Sequence, residues 1–212
     1  MSGRRLPVYL VLDKSGSMTG TPIEATKMGL NLLVQELRSD PMALETAYLS
    51  VITFDSSAQQ VCPLTDLASF QPPQFDAGGS TALGEALKLL MVCCDRELVK
   101  QTPTQKGDWK PLIFIMTDGQ PTDSWENAAD ELKKKRWTVI AYAAGDSADE
   151  NLLKRITETV VKSASCQPSD LKAFFKWVSA SMKTASQSVQ NVAVDATPAN
   201  LPPPPPGIQI VP

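Results

Sequence analysis

The sequence predicts a doubly wound (Rossmann-like) α/β domain, a mostly parallel sheet with helices on both faces. Three observations carry that expectation. Residues 8–12, 48–54, 112–116 and 139–143 form apolar runs, continuous or nearly so, the pattern of strands buried on both faces of a parallel sheet. Between them lie stretches with apolar residues every three or four positions, so strands and helices alternate. Finally, 42% hydrophobic and 20% charged residues in 212 suit one globular domain with a tail.

Taken in order, 8–12 is a strand that ends at Asp13 and runs into a loop rich in Ser and Gly. Thr21-Pro22-Ile23-Glu24 then offers a capping hydroxyl, a proline for the first helical position and a capping glutamate, predicting a helix from 21 to about 38. After the strand at 48–54, Asp55-Ser56-Ser57 predicts a hairpin into a short edge strand at 59–62. Leu83, Leu87, Leu90, Met91, Cys94 and Leu98 mark one face of a long helix, preceded by Gly78-Gly79-Ser80-Thr81.

The strand at 112–116 again leads to an aspartate, Asp118, and 124–136 reads as a helix. Its last turn, Lys133-Lys134-Lys135-Arg136, complements the negative C-terminal end of the helix dipole, and reads as a solvated helix end in preference to a phosphate-binding patch. A strand at 139–143 follows. Ser147-Ala148-Asp149-Glu150 is a second capping box opening a short helix, and a last strand is expected near 160–162. Leu171, Phe174, Phe175, Val178 and Met182 form the apolar stripe of a final helix. Periodicity stops near Gln190, so residues 1–189 are expected to fold. Residues 190–212, with five successive prolines at 202–206, are expected to form a stiff polyproline tail without a core.

Composition excludes much chemistry. The chain has no histidine, and therefore no Ser-His-Asp or Cys-His machinery and no histidine-ligated zinc. With 20 basic and 23 acidic residues the net charge is −3, which argues against nonspecific nucleic-acid binding. Arg4-Arg5 followed by 6–12 imitates a signal peptide, but the run is short, ends at Asp13 and lacks a small-residue cleavage site. No stretch approaches the roughly 20 apolar residues that span a bilayer. A cytoplasmic location without membrane partners is the expectation. Cys62, Cys93, Cys94 and Cys166 show no C-x-x-C spacing and are expected to be reduced, buried thiols.

In doubly wound sheets, ligands bind beyond the carboxyl ends of the strands, where strand order reverses. Three polar loops are expected there: Asp13-Lys14-Ser15-Gly16-Ser17, Gly79-Ser80-Thr81 and Thr117-Asp118-Gly119. Their donors are carboxylates and hydroxyls, all oxygen. That set suits a hard cation, magnesium (Mg2+) first and manganese (Mn2+) next. A cation would also relieve the repulsion between two nearby carboxylates.

Asp13-x-Ser15-x-Ser17, then Thr81, then Asp118 before a glycine resembles the metal-ion-dependent adhesion site of von Willebrand factor A domains. The resemblance covers about 6–183 and implies a mostly parallel sheet with one antiparallel edge strand, matching the expected hairpin. It implies that Ser15, Ser17 and Thr81 ligate a cation through their hydroxyls, with Asp13 and Asp118 binding directly or through water. Ser80 is the alternative to Thr81, which is preferred because Thr81-Ala82-Leu83-Gly84 fits the family's segment. Within the family, Arg5-Leu6-Pro7-Val8-Tyr9, Leu49-Ser50-Val51-Ile52-Thr53-Phe54, Asp108-Trp109-Lys110-Pro111-Leu112 and Thr117-Asp118-Gly119-Gln120-Pro121-Thr122-Asp123 resemble the bacterial tellurium-resistance TerY group. That group's genes commonly accompany a serine/threonine kinase and a PP2C-type phosphatase, which implies a stress-signalling role.

The expected function is a noncatalytic module whose cation accepts an Asp or Glu from a partner protein. The alternative is a metal-dependent phosphoester hydrolase using the same oxygens. It is disfavoured by the absence of histidine, of a D-x-D motif and of a nucleotide-binding glycine loop. If a kinase acts on the chain, Ser15, Ser17, Thr81 and hydroxyls near the tail are the candidates. Lys14 reads as a solvated loop residue that can also steer an acidic partner, and Trp125 as a core-packing residue in preference to a rim anchor.

Overall fold

The computed structural model describes residues 4–191 and 201–211. Its centre is the strand β1 (Leu6–Asp13), buried at all eight positions because both faces are covered by helices. The sheet has seven strands in the order β3-β2-β1-β4-β5-β6-β7. These are β2 (Ala47–Phe54), β3 (Ala58–Asp66), β4 (Leu112–Thr117), β5 (Thr138–Ala144), β6 (Thr159–Ser163) and β7 (Ile208–Ile210). β1 pairs in parallel with β2 on one side and β4 on the other, so the strand order reverses between β1 and β4.

Alternation along β1 sends Leu6, Val8, Leu10 and Leu12 to one face, where α1 (Thr21–Arg38), α2 (Pro41–Thr46) and α6 (Pro168–Asn191) cover them. Tyr9 and Val11 face α3 (Leu83–Glu97), α4 (Glu126–Lys134) and α5 (Glu150–Ile156) on the other. α1 and α6 pack so closely that a Cβ added at Gly29 would lie 2.2 Å from Cδ2 of Phe175.

The doubly wound fold read from the sequence is the fold observed, with several local differences. α1 begins after Gly20, whose φ of 86° lies in the left-handed region, and the expected Thr21 box does not form; Glu24 instead accepts from Lys27 Nζ at 2.9 Å. α2 was not expected. Asp40 caps it, its carboxylate accepting from Ala43 N at 2.9 Å, with Pro41 at the first position. β3 has nine residues, about twice the expected length, since its half-exposed face gives no continuous apolar run. α4 is shorter than expected at both ends. Asp149, not Ser147, caps α5 by accepting from Asn151 N and Leu152 N at 2.9 and 3.1 Å.

The largest difference is at the tail. Residues 192–200 lie outside the described residues, but 201–211 return to the domain. Trp177 Nε1 donates to Pro202 O at 2.8 Å, and β7 adds antiparallel to β6 with Ile208 and Val211 buried. Both sheet edges are therefore antiparallel, β3 on β2 and β7 on β6. A three-residue strand is too short to show a period, which is why sequence pattern missed it. β7 runs back toward the N-terminal ends of the parallel strands.

All four cysteines are free thiols, Cys93 and Cys94 buried and Cys62 and Cys166 partly so. Among the described residues no helix is long and apolar enough to cross a membrane.

Candidate metal centre

The three polar loops meet beyond the carboxyl ends of β1 and β4, at the reversal of strand order. Backbone bonds fix them to one another. Lys14 N donates to Phe54 O at 2.9 Å, Gly78 N to Lys14 O at 2.8 Å and Gly16 N to Gly79 O at 3.0 Å, tying the first loop to β2 and to the segment before α3. Gly79 has φ 73°, and a Cβ there would stand 2.5 Å from Ser56 Oγ, so the close approach requires glycine. The Lys14 ammonium pairs with the Asp55 carboxylate, adding a side-chain clasp.

Within this frame the carboxylates and hydroxyls form a connected set. Asp13 is fully buried; one oxygen accepts from Ser15 N at 2.8 Å and the other from Thr117 Oγ1 at 2.5 Å. Ser15 Oγ lies 3.1 Å from Ser17 Oγ, which donates to Asp118 at 2.7 Å. Thr81 is buried, and its Oγ1 faces Gly119: a Cβ there would lie 3.6 Å from Thr81 Oγ1 and 3.8 Å from Ser17 Oγ. The structure thus brings Asp13, Ser15, Ser17, Thr81 and Asp118 together. Ser80, the alternative to Thr81, is exposed and turned to Ser56, with 3.2 Å between the two hydroxyl oxygens.

Burial is the main force on both acids. It pushes the Asp13 carboxyl above the ordinary range, against the hydrogen bonds from Ser15 and Thr117, with nearby Asp118 adding to the rise. It pushes Asp118 up as well, against the bond from Ser17. Two buried carboxylates in one cleft are costly as anions unless a positive charge joins them. The donors fit a hard divalent cation: all are oxygen, two carry charge, and among the described residues no cluster of three His, Cys, Asp or Glu offers a softer site.

Sequence reasoning missed the supporting residues. Thr117 supplies the bond that orients Asp13. Thr122 Oγ1 accepts from Thr81 N at 3.1 Å, and Thr122 N donates to Thr81 O at 2.9 Å. Asp123 caps α3 from about 40 residues away, its two oxygens accepting from Gly84 N and Glu85 N at 2.9 Å each. A nearby Asp in a polar loop reads only as a turn former; its target lies across the fold. Trp125 is partly buried against the α3–α4–α5 core, with the Arg155 guanidinium 5.2 Å above its ring.

A doubly wound sheet with antiparallel edges and an Asp-Ser-Ser-Thr-Asp cluster at its reversal point defines a class of domains built around an oxygen-lined cation site. The von Willebrand factor type A domain model matches residues 8–188, and the chain belongs to that family. It is 30% identical over 173 residues to the uncharacterized protein sll0103 of Synechocystis, aligning 76% of this chain with 38% of that protein. Similarity to human inter-alpha-trypsin inhibitor heavy chain H6 is 26% over 165 residues, 71% of this chain and 12% of the relative. The chain therefore spans well under half the length of these relatives.

Among solved structures, the von Willebrand factor type A protein of Catenulispora acidiphila superposes with a TM-score of 0.65 at 18% identity, over 85% of this chain and 43% of its own. The mussel byssus proximal thread matrix protein 1, in a form with a zinc-occupied MIDAS motif, gives 0.61 at 20% identity, covering 84% and 48%.

Proposed function

We propose that the chain is a noncatalytic, metal-dependent protein-binding module, in which Asp13, Ser15, Ser17, Thr81 and Asp118 hold a divalent cation and an acidic partner residue completes its coordination. The observation that carries this reading is the convergence of five oxygen-bearing side chains at the reversal of strand order, with Thr81 Oγ1 and Ser17 Oγ beside Gly119. Asp13 and Asp118 supply charge; Ser15, Ser17 and Thr81 supply neutral oxygens. A bound cation would supply the positive charge that a partner carboxylate seeks. With a donor set low in charge, an incoming Asp or Glu is attracted, not repelled.

Hard oxygen donors favour magnesium or manganese. The zinc-occupied site of the byssus protein supports a divalent ion on this scaffold. A hydrolase would need a positioned base besides the metal ligands, and the chain has no histidine to serve as one. Similarity of four sequence segments to the TerY group supports a place in cytoplasmic tellurite or stress signalling beside a serine/threonine kinase and a PP2C-type phosphatase. Of the three site hydroxyls Ser17 alone is exposed, which makes it the one a kinase reaches. The binding domain would take in residues 1–189 together with β7, so that the 190–212 segment expected to be a tail contributes a strand to it.

Titration calorimetry with magnesium chloride tests the metal, comparing wild type with Asp13→Ala. Heat from the wild type alone is expected; equal heats would sink the proposal. Capture of a protein partner should then be lost in chelator, and a chelator-insensitive partner would leave the cation a structural role only.

A further inference from the structure

At the opposite end of the sheet, roughly 20 Å from the metal centre by the length of β4, the chain gathers positive charge. The N-terminal ends of β1, β4 and β5 lie side by side there, joined by Trp109 N donating to Arg5 O at 2.9 Å and Thr138 N to Pro111 O at 3.2 Å. Each strand is entered through cations: Arg4-Arg5, Lys110 and Lys135-Arg136. Two adjoining clefts of about 590 and 370 Å³ open at this end and share Lys110, Arg136 and Trp137 as lining. Their cations are Arg4, Lys100, Lys110, Lys133, Lys135 and Arg136; their acids are Asp95, Asp108 and Glu158.

Several of these charges build the walls. Asp108 is held by Arg5 at 2.6 Å and Asp95 by Lys135 at 2.7 Å, while Arg4 stacks 3.6 Å from the centre of the Trp109 ring. Lys100 and Arg136 are exposed and form no ion pair among the described residues. Arg136 also breaks a local rule. With φ 54° it is the one described non-glycine residue of positive φ, at the position after a helix where glycine or asparagine ordinarily stands. Arg136 thus stands at the junction of the two clefts with no ion-pair partner among the described residues.

We infer that this end of the domain is a docking site for an acidic peptide segment of a partner protein, distinct from the metal centre. Charge complementarity selects an anion. The half-exposed lining between the cations is apolar, with Leu98, Val99 and Trp137, so the occupant carries apolar side chains between its carboxylates. A sugar-phosphate backbone makes no use of such walls, and a long polyanion meets a chain of net charge −3.

The test is fluorescence anisotropy with a labelled peptide of glutamates interspersed with leucines, on the full chain. Saturable binding is expected that weakens with salt, persists in chelator and persists in Asp13→Ala, which separates it from the metal reading. Arg136→Gly removes the charge and relieves the backbone, so this variant should be at least as stable thermally while binding about tenfold more weakly; Lys133→Gln should weaken binding in the same direction. Equal binding by Arg136→Gly, loss of binding in chelator, or tighter binding of a single-stranded oligonucleotide or of inorganic phosphate than of the peptide would each overturn the inference.

Discussion

Thr117 shows how one hydroxyl governs a charged neighbour. It ends β4 and donates to the buried Asp13 carboxylate, opposing the burial that raises that acid. Thr117→Val keeps the branched shape and deletes the donor, leaving one carboxylate oxygen without its partner. Denaturant unfolding should show a loss of about 1–3 kcal/mol, with weaker magnesium binding by calorimetry. Asp13, Ser15, Ser17, Thr81 and Asp118 were legible in the sequence because each follows a recognisable strand or precedes a helix. Thr117 was not singled out, because a hydroxyl in a buried strand carries no signal until its partner across the sheet is known. Cys166 makes the opposite point. Its Sγ donates to Ala144 O at 2.9 Å, and burial first, then Asp118, Asp170 and Asp13, pushes the thiol up to about 12. Alkylation at Cys166 should therefore keep accelerating with pH beyond 9, where an ordinary thiol has levelled off; a plateau near pH 9 would contradict that placement.

Between elements, the packing of α1 on α6 sets two effects against each other. Replacing a helical glycine by alanine ordinarily stabilises by about 1 kcal/mol. At Gly29 the new methyl would meet the ring of Phe175 at 2.2 Å, and overpacking of this kind costs about 1–3 kcal/mol. Gly29→Ala should thus lower the melting temperature despite its better helix propensity. Asp123→Ala tests the cap that crosses the fold: loss of about 1 kcal/mol is expected by denaturant unfolding, with faster hydrogen exchange at Gly84 and Glu85. The long helices and buried strands could be read from periodicity because tertiary packing and local pattern agree there. The caps could not: Gly20 stands where Thr21 was expected to cap α1, and Asp123 reaches the start of α3 from across the fold. β3 was read at about half its length and β7 not at all, for lack of a buried face long enough to show a pattern.

For the molecule as a whole, a cation bound only to the folded state adds stability in proportion to the logarithm of its concentration, about 2.7 kcal/mol at a hundredfold excess over Kd. Differential scanning fluorimetry should show the melting temperature climbing with magnesium in the wild type and staying flat in Asp13→Ala. On the alkaline side the sign is fixed by groups that burial raises: Tyr9, Tyr142, Cys94 and Cys166 all stay protonated in the fold beyond their ordinary range. Their contribution is complete below the ordinary thiol range near 8.5 and is lost as pH rises from there toward 12. Unfolding free energy should decline across that window. A flat profile would mean these groups titrate alike in both states.

The direction of β7 has one more consequence. Because it runs antiparallel to β6 and Val211 N reaches Val160 O at 2.8 Å, the chain leaves the sheet at the end where Arg4 and Arg5 enter it. Anything covalently attached at either end, a neighbouring domain or a sensor chip, would hold the molecule by the same side. Its orientation would then be set by connectivity alone: Gly119 and Ser17 lie at the far end, while the cleft around Arg136 faces whatever the chain is tethered to.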